Sequence, residues 1–191
     1  RYYKVFFKGA VKLPLKSKFN VNAGYASARS DTDLLTSYVQ SGVVNPVTLT
    51  QSDFDGETKT QNYSFVLTSN PLRFLDGKIF YSYYTRNNKN DSVFHSAPGN
   101  EHINLLFDYR KNVAGIDLGF RLPANLYLSP GYKYVKTDRR AGTEPPEGAE
   151  DAAVQLQLPI PDTKDNIYSV DLRWTGLDLM AVKAGYERLD R

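Results

Sequence analysis

The sequence predicts an all-β protein, an antiparallel up-and-down transmembrane β-barrel with about eight strands in four hairpins. Three observations indicate this fold. Apolar and polar residues alternate with a period of two along several segments, which is typical of strands with one apolar face. Short turns and long polar loops alternate along the chain, as in outer-membrane barrels with short periplasmic turns and long extracellular loops. No apolar run approaches the roughly 18 to 20 residues that a membrane-spanning helix requires.

Composition excludes several other classes of protein. The 191 residues include no cysteine, so disulfide scaffolds, thiolate metal sites, cysteine nucleophiles and attachment of c-type haem are excluded within this chain. The net charge of +3 is too small and too evenly spread to indicate a nucleic-acid partner. The mean hydropathy of -0.48 is compatible with a barrel, because only alternate strand residues need to contact lipid.

The first hairpin shows the pattern most clearly. Odd positions from Tyr3 to Leu13 are apolar or Gly, whereas lysines recur at even positions. Pro14 to Ser17 is a predicted turn, because Pro fixes φ and lacks a backbone donor. Phe19 to Tyr25 then alternates again. This segment therefore predicts two antiparallel strands joined by a short turn.

Three further hairpins follow, and we treat residues 1–191 as a single barrel segment. The hairpin units are predicted at approximately 1–30, 61–88, 101–139 and 165–191. The long loops are predicted at approximately 31–60, 89–100 and 140–164, and the other short turns at 70–72, 122–125 and 175–178. In the third unit the apolar residues change parity between Tyr109 and Ile116, so we expect a β-bulge near residues 111–115 or a turn there.

Sorting the strand residues by parity separates two faces. Long polar side chains share the face opposite to the apolar one, which predicts that they line a lumen or contact a partner within it. These residues are Lys4, Lys8, Lys12, Asn20, Asn22, Lys78, Arg86, Asp171, Arg173, Lys183 and Glu187. So many charged groups favour a wide lumen, and the last strand ends in Leu-Asp-Arg rather than in an aromatic residue, so we expect four hairpins of a larger barrel.

Aromatic residues on the apolar face predict contact with the membrane interface. Tyrosines recur near the loop-side ends of the strands, where outer-membrane barrels carry an aromatic girdle. The predicted interfacial residues are Tyr25, Tyr83, Tyr132, Tyr134, Tyr168, Trp174 and Tyr186.

Several stretches resemble one family of outer-membrane barrels. Returning strands share a Gly-Tyr pair followed by Asp-Arg, as in Gly131-Tyr132 with Asp138-Arg139 and Gly185-Tyr186 with Asp190-Arg191. Together with NPLRFLDGKIFYSYYTRNN (70–88), LPANLYLSPGYKYVKTDRR (122–140) and DTKDNIYSVDLRWTGLDLMAVKAGYERLDR (162–191), these endings resemble the MtrB/PioB family. Family barrels are much longer than this chain, and the Cys pair that some members carry near the N-terminus has no match here.

The resemblance implies a scaffold for electron transfer across the outer membrane of a Gram-negative bacterium. Such a barrel encloses a periplasmic multihaem c-type cytochrome, usually with an outer-surface multihaem cytochrome docked above it. The haem belongs to these partners, so the resemblance implies no cofactor in this chain and no catalytic residue.

Other candidate sites favour plainer interpretations. His95 and His102 lie in or beside a long loop without a partner at metal-ligand spacing, and Ser92 or Ser96 near His95 is a local coincidence rather than a nucleophile. The segment 53–57 (Asp-Phe-Asp-Gly-Glu) is expected to form a turn, with a loop Ca²⁺ site as the alternative. The acidic segment 144–151 is expected to be a solvated loop, with a docking face or a calcium site as the alternative.

Parts of this sequence pattern are compatible with two other functions. A general diffusion porin or solute channel would have the same strands, and a soluble or surface β-rich adhesion protein is the second alternative. The row of Lys4, Lys8 and Lys12 suits contact with haem propionates, an anion-selective pore or a wet lumen wall equally well.

Overall fold

The computed structural model shows eight long strands in one antiparallel sheet, in the order β1-β2-β6-β7-β10-β11-β12-β13. The structure describes residues 1–49, 53–89, 94–97, 100–103, 107–141, 162–177 and 180–191. The eight strands are β1 (Tyr2–Leu13), β2 (Ser17–Asp33), β6 (Asp53–Leu72), β7 (Leu75–Asn88), β10 (Phe107–Leu122), β11 (Leu126–Ala141), β12 (Thr163–Leu177) and β13 (Met180–Asp190). Each pairs with its neighbours along the chain, which confirms the predicted up-and-down β architecture.

The sheet is open, because β1 and β13 lie at its two edges and do not pair with each other. Five short strands lie in the connections on the long-loop side: β3 (Ser37–Gln40), β4 (Val43–Pro46), β5 (Thr48–Leu49), β8 (Phe94–Ala97) and β9 (Asn100–Ile103). In the part of the chain that the structure describes, no helix is long and apolar enough to cross a membrane.

Strand register divides the side chains into two faces. Residues directly opposite each other in an antiparallel pair share a face, and successive residues alternate between faces. One face, here called the apolar face, carries the odd positions of β1, β2, β6 and β7 and the even positions of β10 to β13. The remaining positions form the polar face.

The apolar face is exposed to its surroundings. Ile79 is 54% exposed, Val182 47% and Tyr186 67%. Ring contacts continue from strand to strand on this face, with Phe65 between Phe19 and Tyr81 at centroid distances of 6.4 Å each. Val135, at 8% exposure, is the single buried apolar residue among those that the structure describes. The described sheet therefore has no apolar core of its own, and its apolar face requires lipid.

Two of the predicted short turns have a defined backbone geometry. The N–H of Ser17 donates to the Pro14 carbonyl at 3.2 Å, and Leu15 and Lys16 have φ of 58° and 51°. Positive φ at both central residues is the geometry of type I′ hairpin turns, whose twist matches that of the strands they join. Ala124 and Asn125 repeat this geometry between β10 and β11.

The strands extend further into the predicted loops than the sequence indicates. The predicted loop 31–60 is shorter, because β2 continues to Asp33 and β6 begins at Asp53, with these two residues directly opposite each other. Likewise β11 continues to Ala141, whereas most of the predicted loop 140–164 lies outside the described residues. Beyond the apolar residues both faces are polar, so periodicity is lost although the backbone ladder continues. We call these polar ends of the strands the loop-side extension.

The predictions for β10 and for the turn between β6 and β7 were wrong. β10 has neither a bulge nor a turn near residues 111–115, since its register with β7 and β11 is unbroken there. The parity changes because Tyr109 lies on the polar face, where it contacts Tyr84 at 5.9 Å. The turn expected at 70–72 lies at 73–74 instead. Pro71 cannot donate to the ladder, and the register shifts between Ser69 and Leu72.

The two-faced sheet predicts opposite outcomes for neighbouring substitutions in β6. Phe65→Lys places a charge in the middle of the apolar face and should destabilise the membrane-inserted protein by about 2–4 kcal/mol. Ser64→Lys, on the polar face, should have little effect and serves as the matched control. Unfolding of both variants by denaturant in lipid vesicles measures the difference. Equal losses of stability would contradict the assignment of the faces.

Candidate functional site

The polar face is the candidate functional surface. The strand register places all eleven residues that were predicted to line a lumen or contact a partner on this face. Their contact with a partner remains a prediction. These residues share a face because the alternation of polar and apolar side chains continues through eight consecutive strands.

Cross-strand ion pairs neutralise part of the charge on the polar face between β7 and β13. Lys78 Nζ lies 3.1 Å from an Asp117 carboxylate oxygen, and Lys183 Nζ lies 3.2 Å from one of Asp171. At the loop side, Arg191 Nε donates to Asp165 at 2.8 Å. The sequence did not predict these pairs, because the register that brings two distant strands together is not visible in either strand alone.

The polar face of β1, β2 and β6 has a different charge distribution. It contains Lys4, Lys8 and Lys12 on β1 and Lys18 opposite Lys12 on β2, but no Asp or Glu. The three β1 lysines make no ion pair with any residue that the structure describes, although Lys8 Nζ lies 5.8 Å from the Phe6 ring centroid. This part of the face therefore has a surplus of positive charge, flanked by the amides of Asn20 and Asn22.

A pocket of about 480 Å³ lies at the short-turn end of the polar face. Arg121 is fixed there by both carboxylate oxygens of Asp76, at 2.8 and 2.6 Å, and by the Arg73 carbonyl at 2.8 Å. Arg173 also lines the pocket and has no ion pair among the described residues. The pocket thus contains one predicted lumen residue, Arg173, with a guanidinium that is unpaired in the described sheet.

The predicted interfacial aromatics all lie on the apolar face. Tyr132 and Tyr168 are in ring contact at 5.2 Å, and Tyr83 stacks on Tyr63 at 6.0 Å. Trp174 lies at the opposite, short-turn end, where its Nε1 donates to the Ala124 carbonyl at 3.1 Å. The aromatic residues thus mark both ends of the apolar face. Position in the bilayer remains the predicted role of the seven residues.

Sequence reasoning omitted Tyr3 and Tyr63 from the interfacial set. Tyr3 contacts Tyr25 at 6.0 Å, and Tyr63 contacts Tyr83 at the same distance. Their odd positions in β1 and β6 were the available signal, since they share the parity of the apolar residues around them.

The segment 53–57 does not form the expected turn. Gly56 is paired with Ser30 inside the β2–β6 ladder. Asp55 forms an ion pair with Arg29, whose Nε donates at 2.9 Å, and Lys59 Nζ lies 3.0 Å from Glu57. Cations therefore occupy positions beside these carboxylates, which explains how a strand tolerates an acidic run. The described residues contain no group of three or more acidic or histidine side chains placed to hold a metal ion.

The other candidate residues lie in the long connections. Pairing of β8 with β9 sets His95 opposite His102 along the backbone. Ser96 lies in β8 opposite Glu101, whereas Ser92 and the acidic segment 144–151 lie outside the described residues. A Ca²⁺ site in the long loops remains a prediction.

An open, two-faced, up-and-down sheet with an exposed apolar face and a charged polar face defines a membrane β-barrel protein. The chain belongs to the outer membrane beta-barrel porin family MtrB/PioB, which matches it over residues 1–191. This confirms the resemblance and the location in the outer membrane. The family is described as one of porins. A comparison with curated proteins finds no match to the chain.

The Arg29–Asp55 pair in the loop-side extension predicts a dependence of stability on pH. The guanidinium of Arg29 donates hydrogen bonds to the Asp55 carboxylate and lowers its pKa below the ordinary value. A lowered pKa in the folded state stabilises the protein above the ordinary Asp pKa of about 3.9, and this contribution is lost as pH falls through the lowered value.

Asp55→Asn should therefore lower the melting temperature at neutral pH and have little effect in strong acid. Arg29→Gln should remove the same pH-dependent contribution to stability, because it removes the guanidinium that pairs with Asp55. The melting temperatures of both variants and of the wild type in detergent are measured across this pH range. Heat-dependent migration on gels reports the melting. A pH profile of Arg29→Gln that matches the wild type would contradict the role of the pair.

Proposed function

We propose that this chain forms part of the wall of an outer-membrane barrel that encloses a multihaem c-type cytochrome and so supports electron transfer across the membrane. The observation that carries the proposal is the lysine surplus on the polar face of β1, where Lys4, Lys8 and Lys12 have no acidic counterpart.

The surplus favours a partner with negative groups. Between β7 and β13 the polar face supplies counter-charges for some of its cations, such as Asp117 for Lys78. The β1 lysines have none within the described sheet, so their counter-charges must come from a strand beyond the open edge, from another molecule or from solution. Haem propionates and acidic side chains are strong acceptors for Lys and Arg, and charge-assisted bonds of this kind both attract a partner and fix its position.

The two faces suit a sheath for a chain of haems. The apolar face can contact lipid tails, and the polar face can contact a protein through hydrogen bonds and ion pairs. The haem in this proposal belongs to the enclosed cytochrome. A second multihaem cytochrome would dock at the long-loop side, where the loop-side extension raises the strands beyond the apolar residues.

The open edges support a barrel with more than these eight strands. In a bilayer, an unpaired strand edge leaves backbone N–H and C=O groups without partners, so membrane sheets close into barrels. The outer edges of β1 and β13 have no partner within the described sheet. We propose that each pairs with a further strand.

An anion-selective channel is the second candidate, because the same lysines favour it. A row of cations along a water-filled lumen attracts anions and repels cations. The two candidates differ in what occupies the polar face, which is a protein in the first and water in the second.

Purification from outer membranes in mild detergent tests the first proposal. The protein should elute together with haem absorbance. Neutralising Lys4, Lys8 and Lys12 to Gln should reduce the retained haem severalfold, since each charge-assisted bond contributes about 1.5–3 kcal/mol when it is fully formed. High salt should act in the same direction.

The matched control neutralises Lys59, Lys136 and Lys164 to Gln, which removes the same charge from the loop-side extension of the apolar face. This control should retain the haem. A haem-free barrel that conducts anions in planar bilayers would overturn the cytochrome proposal in favour of the channel. Equal haem loss in both triple variants would show that Lys4, Lys8 and Lys12 are not specifically responsible for retaining the haem.

Cysteine pairs test whether the eight strands close on themselves. Residues 1–191 contain no cysteine, so an introduced pair has no competing thiol within this segment. We combine Ala184→Cys in β13 with a single Cys at Val5, Phe7 or Val11 in β1. Oxidation of the protein in membranes should yield no intramolecular disulfide from any pair. A disulfide between β1 and β13 would show an eight-stranded barrel and contradict the larger one.

A further inference from the structure

A small polar pocket lies on the outward side of the loop-side extension, between β7, β10 and β11. Its volume is about 70 Å³. With the exception of Tyr109, its lining residues have the parity of the apolar face, so they continue that face beyond the tyrosines. These residues are Thr85, Asn87, Asp108, Arg110, Asp138 and Arg140.

The acidic groups of the pocket are engaged, whereas its two arginines are not. Lys136 Nζ lies 3.1 Å from the Asp138 carboxylate, and Asp108 accepts the Asn88 backbone N–H at 2.7 Å. Arg110 and Arg140 are exposed and have no ion pair within the described part of the chain, although an acidic residue lies opposite each in the register. The pocket therefore offers two free guanidiniums.

The height of the pocket relative to the tyrosines places it among lipid headgroups. Arg110 lies opposite Asp138, four residues beyond the interfacial Tyr134. Four residues span about 13 Å along a strand, or roughly 10 Å along the membrane normal for a strand tilted by about 40°. Arginine side chains can bend back toward the membrane from there while their guanidiniums stay in a polar layer.

We propose that this pocket binds the phosphate groups of an anionic glycolipid of the outer leaflet, with Arg110 and Arg140 as the binding residues. The planar guanidinium forms paired hydrogen bonds to phosphate oxygens, which makes arginine well suited to this ligand. The proposal requires that the long-loop side faces the outer leaflet. It does not depend on a cytochrome inside the barrel, since the pocket lies on the opposite face of the sheet.

Native mass spectrometry of the purified protein in detergent tests the proposal. The probes are a diphosphorylated glucosamine-based lipid A, the same lipid with its phosphates removed, and inorganic phosphate alone. The wild-type protein should bind the phosphorylated lipid at least about tenfold more tightly than the dephosphorylated lipid, because the charge-assisted hydrogen bonds are lost with the phosphates. Inorganic phosphate alone should bind weakly, since it lacks the acyl chains that contact the apolar face.

A double variant and its control assign the effect to the pocket. Arg110→Gln with Arg140→Gln should lose the preference for the phosphorylated lipid. Lys111→Gln with Lys133→Gln removes two charges from the same strands on the polar face and should keep the preference. Heat-dependent migration on gels shows that both variants are folded.

Three results would overturn the proposal. Equal binding of the two lipids by the wild-type protein would exclude phosphate recognition, and this comparison needs no variant. Loss of the preference in both double variants would indicate a general charge effect. Binding of inorganic phosphate as tight as that of the lipid would indicate a free-anion site instead of a headgroup site.

Discussion

The exposed apolar face is the constraint on which the rest of the structure depends. A single sheet cannot bury its own face, and the described residues include only Val135 as a buried apolar side chain. Each Val, Leu, Ile or Phe that leaves water gains about 1.5–3 kcal/mol. Residues such as Val5, Phe7 and Val170 remain exposed in the isolated sheet. Lipid provides the missing apolar surroundings and thereby stabilises the fold.

Lipid on one face determines what the other face can do. Since no lipid covers the polar face, its charged groups must be satisfied by each other, by water or by another molecule. The strands from β7 to β13 use cross-strand pairs such as Lys183 with Asp171. The lysines of β1 and other cations of this face, such as Arg173, have no such partner in the described sheet, so the polar face has a positive surplus that favours a negatively charged occupant. The proposed cytochrome sheath follows from that imbalance rather than from any reactive residue.

The same alternation continues past the membrane in the loop-side extension. There the former apolar face becomes polar, and ion pairs such as Arg29 with Asp55 replace lipid contacts. The pocket at Arg110 and Arg140 differs from these pairs because its guanidiniums have no partner in the described chain. A single strand pattern thus presents three surfaces: one for lipid tails, one for the proposed partner in the lumen and one for the proposed contact with lipid headgroups.

Sequence periodicity was sufficient to predict on which face of the sheet each side chain lies. It was not sufficient to predict which side chains contact each other. Alternation assigned Lys78 and Tyr83 to opposite faces, because each lies where one face is apolar and the other polar. It failed where both faces are polar, so the strand ends at Asp33 and Asp53 were missed. Tyr109 misled the prediction of β10, because an aromatic residue on the polar face imitates a change of register. The ion pair of Arg121 with Asp76 depends on the alignment of distant strands, which no single segment reveals.

Spin labels along one strand test directly whether lipid and a partner occupy opposite faces of the sheet. Single cysteines replace residues 78 to 84 of β7 in turn, and collision with oxygen and with a water-soluble nickel reagent is measured in native outer membranes. Odd positions should collide with oxygen, whereas even positions should be shielded from both reagents until the haem-bearing partner is removed. Equal collision with the nickel reagent at odd and even positions would contradict this arrangement of the two faces.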